Sequence, residues 1–486
     1  MELVSPAGNI EKLYYAYTYG ADAVYIGLKR FSLRIKADNF YEDEYKRVIA
    51  LKKQYPAKRL FCALNITFHN YDIDQFLKNI DYFKQYPIDS FIVQDIGIVP
   101  ILQKEFPNTA LHLSTQANCV NKNAVKMYHD MGFKRVVLGR EASLDEIREI
   151  KDAVPEMELE AFCHGAMCIS YSGRCLMSAY LTGRSANSGF CSQSCRWEYD
   201  VLADKKKLAE SGALVLREHE RPNEYFPVYE GDNFTAVLSS KDLRMIEHLA
   251  DMKKAGVDAI KIEGRMKSIY YVALVTRAYR KALDALDGKI SDTDAAPFIA
   301  ELENVSHRES TTGFYYNRAD ADKTTIGASD SQYMLAATIG KQLTEEEGKA
   351  LFAAGEATVK AREEPLRTMH PEARAAIERD WAAHPEKIPP AAVYKDSWKF
   401  YRCEALNKFD VNTELEFITP DTDCITAAKG TWQLADPETG TELEWVCNGH
   451  SCALYTRLSL PEGTLVRIKD PGYIPGVIRN PGHDPV

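Results

Sequence analysis

The stretch that decides the fold is Leu159-Glu160-Ala161-Phe162-Cys163-His164-Gly165-Ala166-Met167-Cys168. In it a short apolar run ends and a group of cysteines begins. The run Leu159–Phe162 is typical of a buried strand. Seven similar runs occur in the first 290 residues, and amphipathic helical stretches follow most of them. These runs are Glu2–Ser5, Ala23–Ile26, Leu60–Leu64, Ser90–Val93, Leu111–Ser114, Arg135–Leu138 and Ala259–Ile262.

This alternation predicts a parallel sheet wrapped by helices, and eight such units favour a closed, TIM-like (β/α)8 barrel over residues 1–290. About ninety residues separate the seventh strand from the eighth, where two to six are usual between a strand and the next element. We therefore expect a cysteine-rich insertion over 163–240 after the seventh strand. Within and after it, the pattern predicts hairpin strands at Glu198–Leu202 and Phe234–Leu238 and a helix over Lys241–Ala255.

Two further regions follow the predicted barrel. Residues 291–395 are rich in Ala, Glu and Arg and are interrupted by prolines, which predicts a helical, charged linker region. Residues 396–486 alternate apolar and polar positions between proline-containing turns. That pattern predicts a small C-terminal all-β barrel domain.

Composition indicates a globular protein, since 45% of the 486 residues are hydrophobic. The first residues show no basic start before an apolar run, and nowhere do about eighteen uncharged apolar residues follow one another. We therefore predict a cytoplasmic protein without a membrane partner. The net charge of −10 means that a polyanion would need a local concentration of Lys and Arg.

Five of the eleven cysteines lie close together, at Cys163, Cys168, Cys175, Cys191 and Cys195. Packing alone explains such a group poorly, because glycines between the thiols would let the loop fold around a compact centre. Structural zinc favours closely spaced pairs, and among the last four only Cys191 and Cys195 form one. The wider spacings are tolerated by an iron-sulfur cluster, so spacing alone favours iron over zinc only slightly.

At these residues the chain resembles the collagenase-like peptidase family. The match runs from Glu160 to Cys168 and continues in Gly173-Arg174-Cys175-Leu176-Met177-Ser178. Further matching segments are Leu3–Asn9, Gly20–Gly27 and Lys261–Lys267. The segment Gly189–Tyr199 is most similar to the branch of tRNA hydroxylation proteins, and Cys403–Lys408 is similar to the family's appended barrel domain.

That resemblance implies tRNA as the partner, and hydroxylation of its wobble uridine to 5-hydroxyuridine without molecular oxygen, with prephenate as a possible co-substrate. It also implies a 4Fe-4S cluster on Cys168, Cys175, Cys191 and Cys195, because relatives that hydroxylate ubiquinone precursors carry one on four cysteines of this region. The relatives differ in their fourth cysteine, so Cys163 competes with Cys195.

Residues that follow the barrel strands should surround one cavity and give a basic mouth to an acidic protein. For substrate binding we predict Arg34, Asn65, Gln94, Gln116, Arg140, Arg174, Arg196, Arg265 and Lys267. Phe31, Tyr171, Tyr180 and Trp197 are candidates for stacking on an extruded base. His164, Glu160 and Glu263 are candidates for moving protons.

Two other functions are open. A Cys163-His164 dyad would suit a peptidase, although adjacent residues of a strand point to opposite faces. Alternatively, the metal only staples an RNA-binding scaffold. The sequence also leaves open another RNA or a small aromatic ring as substrate, a different small-molecule hydroxyl donor, and assembly with like or unlike subunits.

Overall fold

The computed structural model describes most of the chain, with gaps between 28 and 44, in the insertion, between 317 and 331, between 385 and 397 and at the C-terminus. The described residues are 1–28, 31–32, 40, 44–168, 170–178, 186, 191–192, 195, 215–217, 225–227, 229–231, 234–236, 240–317, 331–385, 388–393, 395 and 397–473. Internal contacts divide the chain into one unit over Met1–Asp330 and another over Ser331–Ile474. None of the described helices combines the length and apolar character needed to cross a bilayer.

The first unit alternates strands and helices along most of its length. Its strands are β1 (Glu2–Pro6), β2 (Ala23–Ile26), β3 (Arg59–Leu64), β4 (Ser90–Val93), β5 (Ala110–Leu113), β6 (Arg135–Val137), β7 (Glu158–Ala166), β8 (Val215–Arg217), β9 (Tyr225–Pro227), β10 (Tyr229–Gly231), β11 (Phe234–Ala236), β12 (Asp242–Arg244), β13 (Ala259–Ile262) and β14 (Ser310–Thr311). Its helices are α1 (Ile10–Thr18), α2 (Glu44–Gln54), α3 (Asn70–Lys78), α4 (Ile80–Lys84), α5 (Val99–Glu105), α6 (Lys122–Asp130), α7 (Leu144–Ala153), α8 (Leu249–Lys254), α9 (Ile269–Leu286) and α10 (Asp292–Ala300). Short 3-10 helices span Ile96–Ile98, Thr115–Ala117, Ile246–His248 and Glu301–Asn304.

Eight parallel strands close into a barrel. Neighbours pair in chain order from β1 to β7, and β13 pairs with both β7 and β1. Inward-facing side chains from alternating positions form a buried cluster that includes Val4, Tyr25 and Phe61. The predicted TIM-like barrel is confirmed, and all eight predicted strands are present.

Strand β7 is the longest barrel strand and joins the barrel to the insertion. Phe162 pairs with Lys261 and His164 with Ile262, so Cys163 is an extra residue in a β-bulge. Beyond the bulge, β7 pairs in the antiparallel sense with β12. The helix predicted over Lys241–Ala255 is therefore shorter than expected, because Asp242–Arg244 pairs with this extension of β7 as a strand. Within that range the α-helix is α8, which begins at Leu249. Of the predicted hairpin strands, β11 covers Phe234–Ala236, and Glu198–Leu202 lies outside the described residues.

The second unit is a curled antiparallel sheet with a helical pair. Its strands are β15 (Tyr333–Gln342), β16 (Lys399–Ala405), β17 (Phe409–Asp410), β18 (Leu415–Ile418), β19 (Ile425–Ala427), β20 (Trp432–Ala435), β21 (Trp445–Val446), β22 (Ser451–Thr456) and β23 (Leu465–Lys469). Its helices are α11 (Glu345–Arg367) and α12 (Pro371–Ala383). Seven strands pair in the order β19-β18-β23-β15-β16-β22-β20 around a core that contains the buried Trp432.

The structure divides the predicted linker range 291–395 between the two units. Helix α10 packs against α9 of the barrel unit, whereas β15 pairs with β16 and β23 inside the C-terminal sheet. Helix α11 covers that sheet through Phe352, which contacts Phe400 and Tyr455. The charged residues of this range thus lie partly on the outer face of a helix that packs against the sheet.

Gly355 sets the distance between α11 and the sheet. A Cβ atom there would lie 2.2 Å from the carbonyl oxygen of Gly440, which is backbone and moves only with its loop. We expect Gly355→Ala to destabilise the second unit by about 1–3 kcal/mol despite the helix preference of alanine. Gly340→Ala, whose Cβ would meet atoms no closer than 3.6 Å, is the matched control in thermal unfolding. Equal midpoints for the two variants would contradict this packing.

Candidate active site at the barrel mouth

The mouth centres on an ion pair that rests on an aromatic ring. Arg140 follows β6 and Glu263 follows β13, while Phe162 of β7 pairs with Lys261 near the C-terminal end of β13. The Arg140 guanidinium carbon is 3.8 Å from the centroid of the Phe162 ring, and its Nη2 is 3.0 Å from Glu263 Oε2. Both charged side chains are largely shielded from water, which strengthens and fixes their pairing.

Polar and apolar groups at other strand ends complete the rim. Gln94 Nε2 donates to Thr67 Oγ1 at 3.1 Å, and Asn65 is half-buried at the end of β3. Gln116 lies in the 3-10 helix that follows β5. Several large apolar side chains after the strands are exposed: Ile96, Tyr171, Leu176 and Met266. A rim with this mixture suits a ligand that has both polar edges and an apolar face.

The first cysteine loop is tied to the barrel at several points. Ser240 Oγ donates to the carbonyl oxygen of Met167 at 2.8 Å, next to Cys168. Ser172 N donates to Glu141 Oε1 at 2.7 Å. Farther along, Ser192 N donates to Ser178 Oγ at 2.9 Å. These bonds hold the loop at the mouth and bring the segments around Cys175 and Cys191 together.

The four predicted cluster ligands differ in exposure from most other cysteines. Cys168 is exposed and Cys175, Cys191 and Cys195 are half-buried. The donor set is chemically suited to iron or zinc. In the part of the chain that the structure describes, however, no three thiol, imidazole or carboxylate groups lie close enough to share one metal ion.

Cys163 has a different environment from those four. It is fully buried, its Sγ lies 3.4 Å from the carbonyl oxygen of Lys261, and its own carbonyl oxygen accepts from Tyr279 Oη at 2.7 Å. Burial raises the pKa of the Cys163 thiol well above its usual range. The bulge thus places Cys163 in the barrel wall as a neutral thiol.

His164, predicted as a proton carrier, lies away from the mouth. The bulge turns it toward α9, where its Nδ1 is 3.3 Å from Tyr279 Oη and its ring contacts Tyr271. Burial lowers the pKa of His164 to about 3, so it is neutral near pH 7. The strand alternation used in the sequence interpretation fails here, because one extra residue changes which face a side chain occupies.

Glu160, also predicted to move protons, lies inside the barrel below the mouth. It accepts from Lys261 Nζ at 2.8 Å and from Arg135 Nη1 at 2.9 Å. Burial acts to raise the pKa of Glu160, but these two cations outweigh burial and lower it to about 2. Glu160 is therefore ionised near pH 7 and held in an ion cluster. Of the three predicted proton carriers, Glu263 is the one that the described structure brings to the mouth.

Glu160→Gln should reveal this ion cluster as a pH-dependent source of stability. Breaking one partner of a buried pair costs about 3–5 kcal/mol, so we expect a loss of that size in unfolding free energy at pH 7. The pKa of Glu160 is lower in the folded protein than in the unfolded chain. The unfolding free energy of the wild type therefore falls as the pH drops from about 4.3 toward the folded pKa of about 2, and the difference in unfolding free energy from the variant becomes smaller.

Glu158→Gln is the matched control, since Glu158 pairs with the same Arg135 but its side chain is 45% exposed. We expect a clearly smaller loss for that variant in denaturant titrations at pH 7 and pH 3.5. A Glu160→Gln protein with wild-type stability at pH 7 would contradict the assignment.

The predicted basic residues fall into different environments. Arg265 is buried and donates to Ser32 Oγ at 2.7 Å, while Lys267 Nζ reaches the carbonyl oxygen of Ser306 at 3.4 Å. Arg174 is exposed on the cysteine loop. Arg34 and Arg196 lie outside the described residues, as do Tyr180 and Trp197.

Phe31, predicted to stack on a base, is buried instead. Its ring stacks on Phe68 with centroids 5.7 Å apart and meets Phe76 edge-on. An aromatic residue after a strand does not reveal from sequence alone whether it faces the cavity or a neighbouring loop. The sequence interpretation also missed that the ring of Phe162 supports the Arg140 guanidinium. The available signal was the alternation of side-chain direction along the strand before the bulge.

In architecture this is a β/α-barrel protein whose polar rim residues and cysteine loop follow the C-terminal ends of the strands, the face where such barrels place their chemistry. The chain belongs to peptidase family U32, whose sequence pattern matches residues 8–325. This confirms the resemblance found at the cysteine loop.

Three relatives have informative names. The tRNA hydroxylation protein P of Escherichia coli strain K12 is 38% identical over 339 residues, covering 64% of this chain and 74% of that protein. The 23S rRNA 5-hydroxycytidine C2501 synthase of the same strain is 35% identical over 348 residues, covering 70% and 48%. A collagenase of Porphyromonas gingivalis strain ATCC BAA-308 / W83 is 29% identical over 326 residues, covering 65% and 73%.

Proposed function

We propose that this chain is a cytoplasmic RNA-modifying enzyme that hydroxylates the wobble uridine of tRNA to 5-hydroxyuridine, without molecular oxygen and with prephenate as the co-substrate. The observation that carries the proposal is the 38% identity to a tRNA hydroxylation protein across the barrel region. Similarity to an rRNA hydroxycytidine synthase supports the coarser part, hydroxylation of a pyrimidine in RNA.

We further propose that Cys168, Cys175, Cys191 and Cys195 hold a 4Fe-4S cluster. Their exposure and the Ser178-Ser192 hydrogen bonds support this set, and the deep burial of Cys163 favours Cys195 as the fourth ligand. When bound, the cluster would supply electron transfer, because four cysteine ligands leave no iron position open. Zinc on the same thiols would be the alternative, with a structural role only.

The residues of the mouth suggest how a pyrimidine is held. The exposed rim side chains Tyr171, Leu176 and Met266 offer apolar contact to a base that has left its stack. Arg140 fixes the Glu263 carboxylate at the mouth, where Glu263 would accept the proton that leaves the ring carbon. Arg174, on the exposed loop, would contact phosphate.

A direct test incubates unmodified tRNA with anaerobically purified protein, with and without prephenate, and measures nucleosides by mass spectrometry. The proposal expects 5-hydroxyuridine only when prephenate is present, and no dependence on oxygen. Iron and sulfide analysis of the same sample identifies the metal. Product formed only in air would overturn the oxygen-independent reaction. RNA binding without product would instead favour a metal-stapled scaffold.

A peptidase is the second candidate, favoured by the similarity to a collagenase. Among the described residues no hydrogen bond joins the two members of the predicted dyad: Cys163 Sγ donates to the carbonyl oxygen of Lys261 at 3.4 Å, and His164 Nδ1 lies 3.3 Å from Tyr279 Oη. A gelatin-cleavage assay on wild type and Cys163→Ala tests it. Cleavage that disappears in the variant would restore this function.

A further inference from the structure

The cysteine loop is docked onto the mouth through one carboxylate. Glu141, which follows β6, accepts from Ser172 N at 2.7 Å and from Ser172 Oγ at 3.2 Å, both at Oε1. Its other oxygen, Oε2, accepts from Asn118 Nδ2 at 3.3 Å. Thr115 Oγ1 lies 3.5 Å from Ser172 Oγ on the same side. Glu141 thus links the loop after β7 to the segments after β5 and β6.

Gly173 extends this docking contact to the backbone. It has a φ of +75°, and a Cβ atom built on it would lie 1.9 Å from the carbonyl oxygen of Gln116. Only glycine fits this approach. Ser172 and Gly173 lie between Cys168 and Cys175 in the chain, so the docking contact fixes the part of the loop that joins two of the proposed ligands.

The contact requires a side chain that accepts hydrogen bonds at both of its terminal atoms. A carboxylate that accepts an N–H forms a charge-assisted bond, stronger than the bond of a neutral amide. Both oxygens of Glu141 are used as acceptors, whereas a glutamine would offer only one. Ser172 is 5% exposed, so an unmatched N–H there would lack water as a substitute partner.

We propose that Glu141 is the positioning residue that seats the cysteine loop on the barrel mouth and so sets where Cys168 and Cys175 stand relative to substrate. This inference rests on the proposed function for its catalytic meaning. The docking itself involves only residues of this chain and can be measured in metal-free protein.

Hydrogen-deuterium exchange of metal-free protein tests the docking. In Glu141→Ala we expect amides of the peptide spanning 168–178 to exchange roughly tenfold faster or more, because the Ser172 N–H loses its charged acceptor. Glu141→Gln should fall between that variant and wild type. Glu149→Ala is the matched control, since Glu149 is exposed and, among the described residues, pairs with Lys122 on the surface. In the Glu149→Ala protein, the peptide spanning 168–178 should exchange at the wild-type rate.

Gly173→Ala provides an independent route to the same state, by collision with Gln116 instead of loss of a bond. Both disruptive variants should keep the wild-type thermal midpoint of the barrel and take up at least twofold less iron on anaerobic reconstitution, with partial recovery in Glu141→Gln. Wild-type exchange and iron content in Glu141→Ala would overturn the positioning role. If wild type itself takes up no iron, the proposed cluster fails, while the exchange experiment still decides whether Glu141 docks the loop.

Discussion

Exchange of Cys168 and Cys175 for alanine is expected to remove bound iron and tRNA hydroxylation together while the barrel stays folded. The two thiols are accessible and lie outside the buried core of the barrel, so their loss leaves its packing intact. Loss of a residue that only hydrogen-bonds to a metal ligand lowers metal affinity about 10–100-fold, so loss of two ligands should leave almost no iron. Iron and sulfide analysis, the visible spectrum and nucleoside analysis measure the three effects.

Cys447→Ala is the matched control for these variants, because Cys447 is also half-buried but belongs to the second unit. It should retain full iron content and activity. The same set of assays separates Cys195→Ala, expected to lose the cluster, from Cys163→Ala, expected to keep it. A double Cys168 and Cys175 variant that still hydroxylates tRNA would remove the cluster from the account.

Arg140→Ala is expected to lower kcat for hydroxylation about 10²-fold or more. The guanidinium holds Glu263 at 3.0 Å, and misplacement of a reacting group by about 1 Å is enough for a loss of that order. Arg140→Lys should recover only part of the rate, since an ammonium group lacks the planar fork that stacks on Phe162. Single-turnover rates with saturating tRNA separate this effect from weaker binding.

Arg148→Ala is the control for that series, because Arg148 lies on the surface of α7 and, within the described part of the chain, pairs with Asp145. It should leave kcat and KM unchanged. An Arg140→Ala enzyme with wild-type kcat and a raised KM would mean that Arg140 binds substrate and does not position Glu263.

The barrel could be predicted from sequence because its strands are short apolar runs and amphipathic helical stretches follow most of them. Side-chain direction along β7 could not, because the bulge at Cys163 is invisible in the pattern and moves His164 to the helix side. The same limit applies to Asp242–Arg244, where pairing with β7 overrides a helical periodicity.

The position of a side chain could be predicted best where the residue follows directly from a strand end. Arg140 and Glu263 meet at the mouth as the topology requires. Phe31 and Arg265 also follow strands, yet both turn into buried contacts that depend on loop structure. The docking of Ser172 on Glu141 joins residues far apart in the chain, and no local pattern encodes it.

The most direct test of the central claim is the wobble-position nucleoside of tRNA from anaerobically grown cells that lack their own hydroxylation activity and express this chain. Mass spectrometry of anticodon fragments should find one added oxygen on the wobble uridine with wild type, and an unmodified uridine with the Cys168→Ala, Cys175→Ala protein. An unmodified wobble uridine in cells that contain folded, iron-loaded wild-type protein would contradict the account.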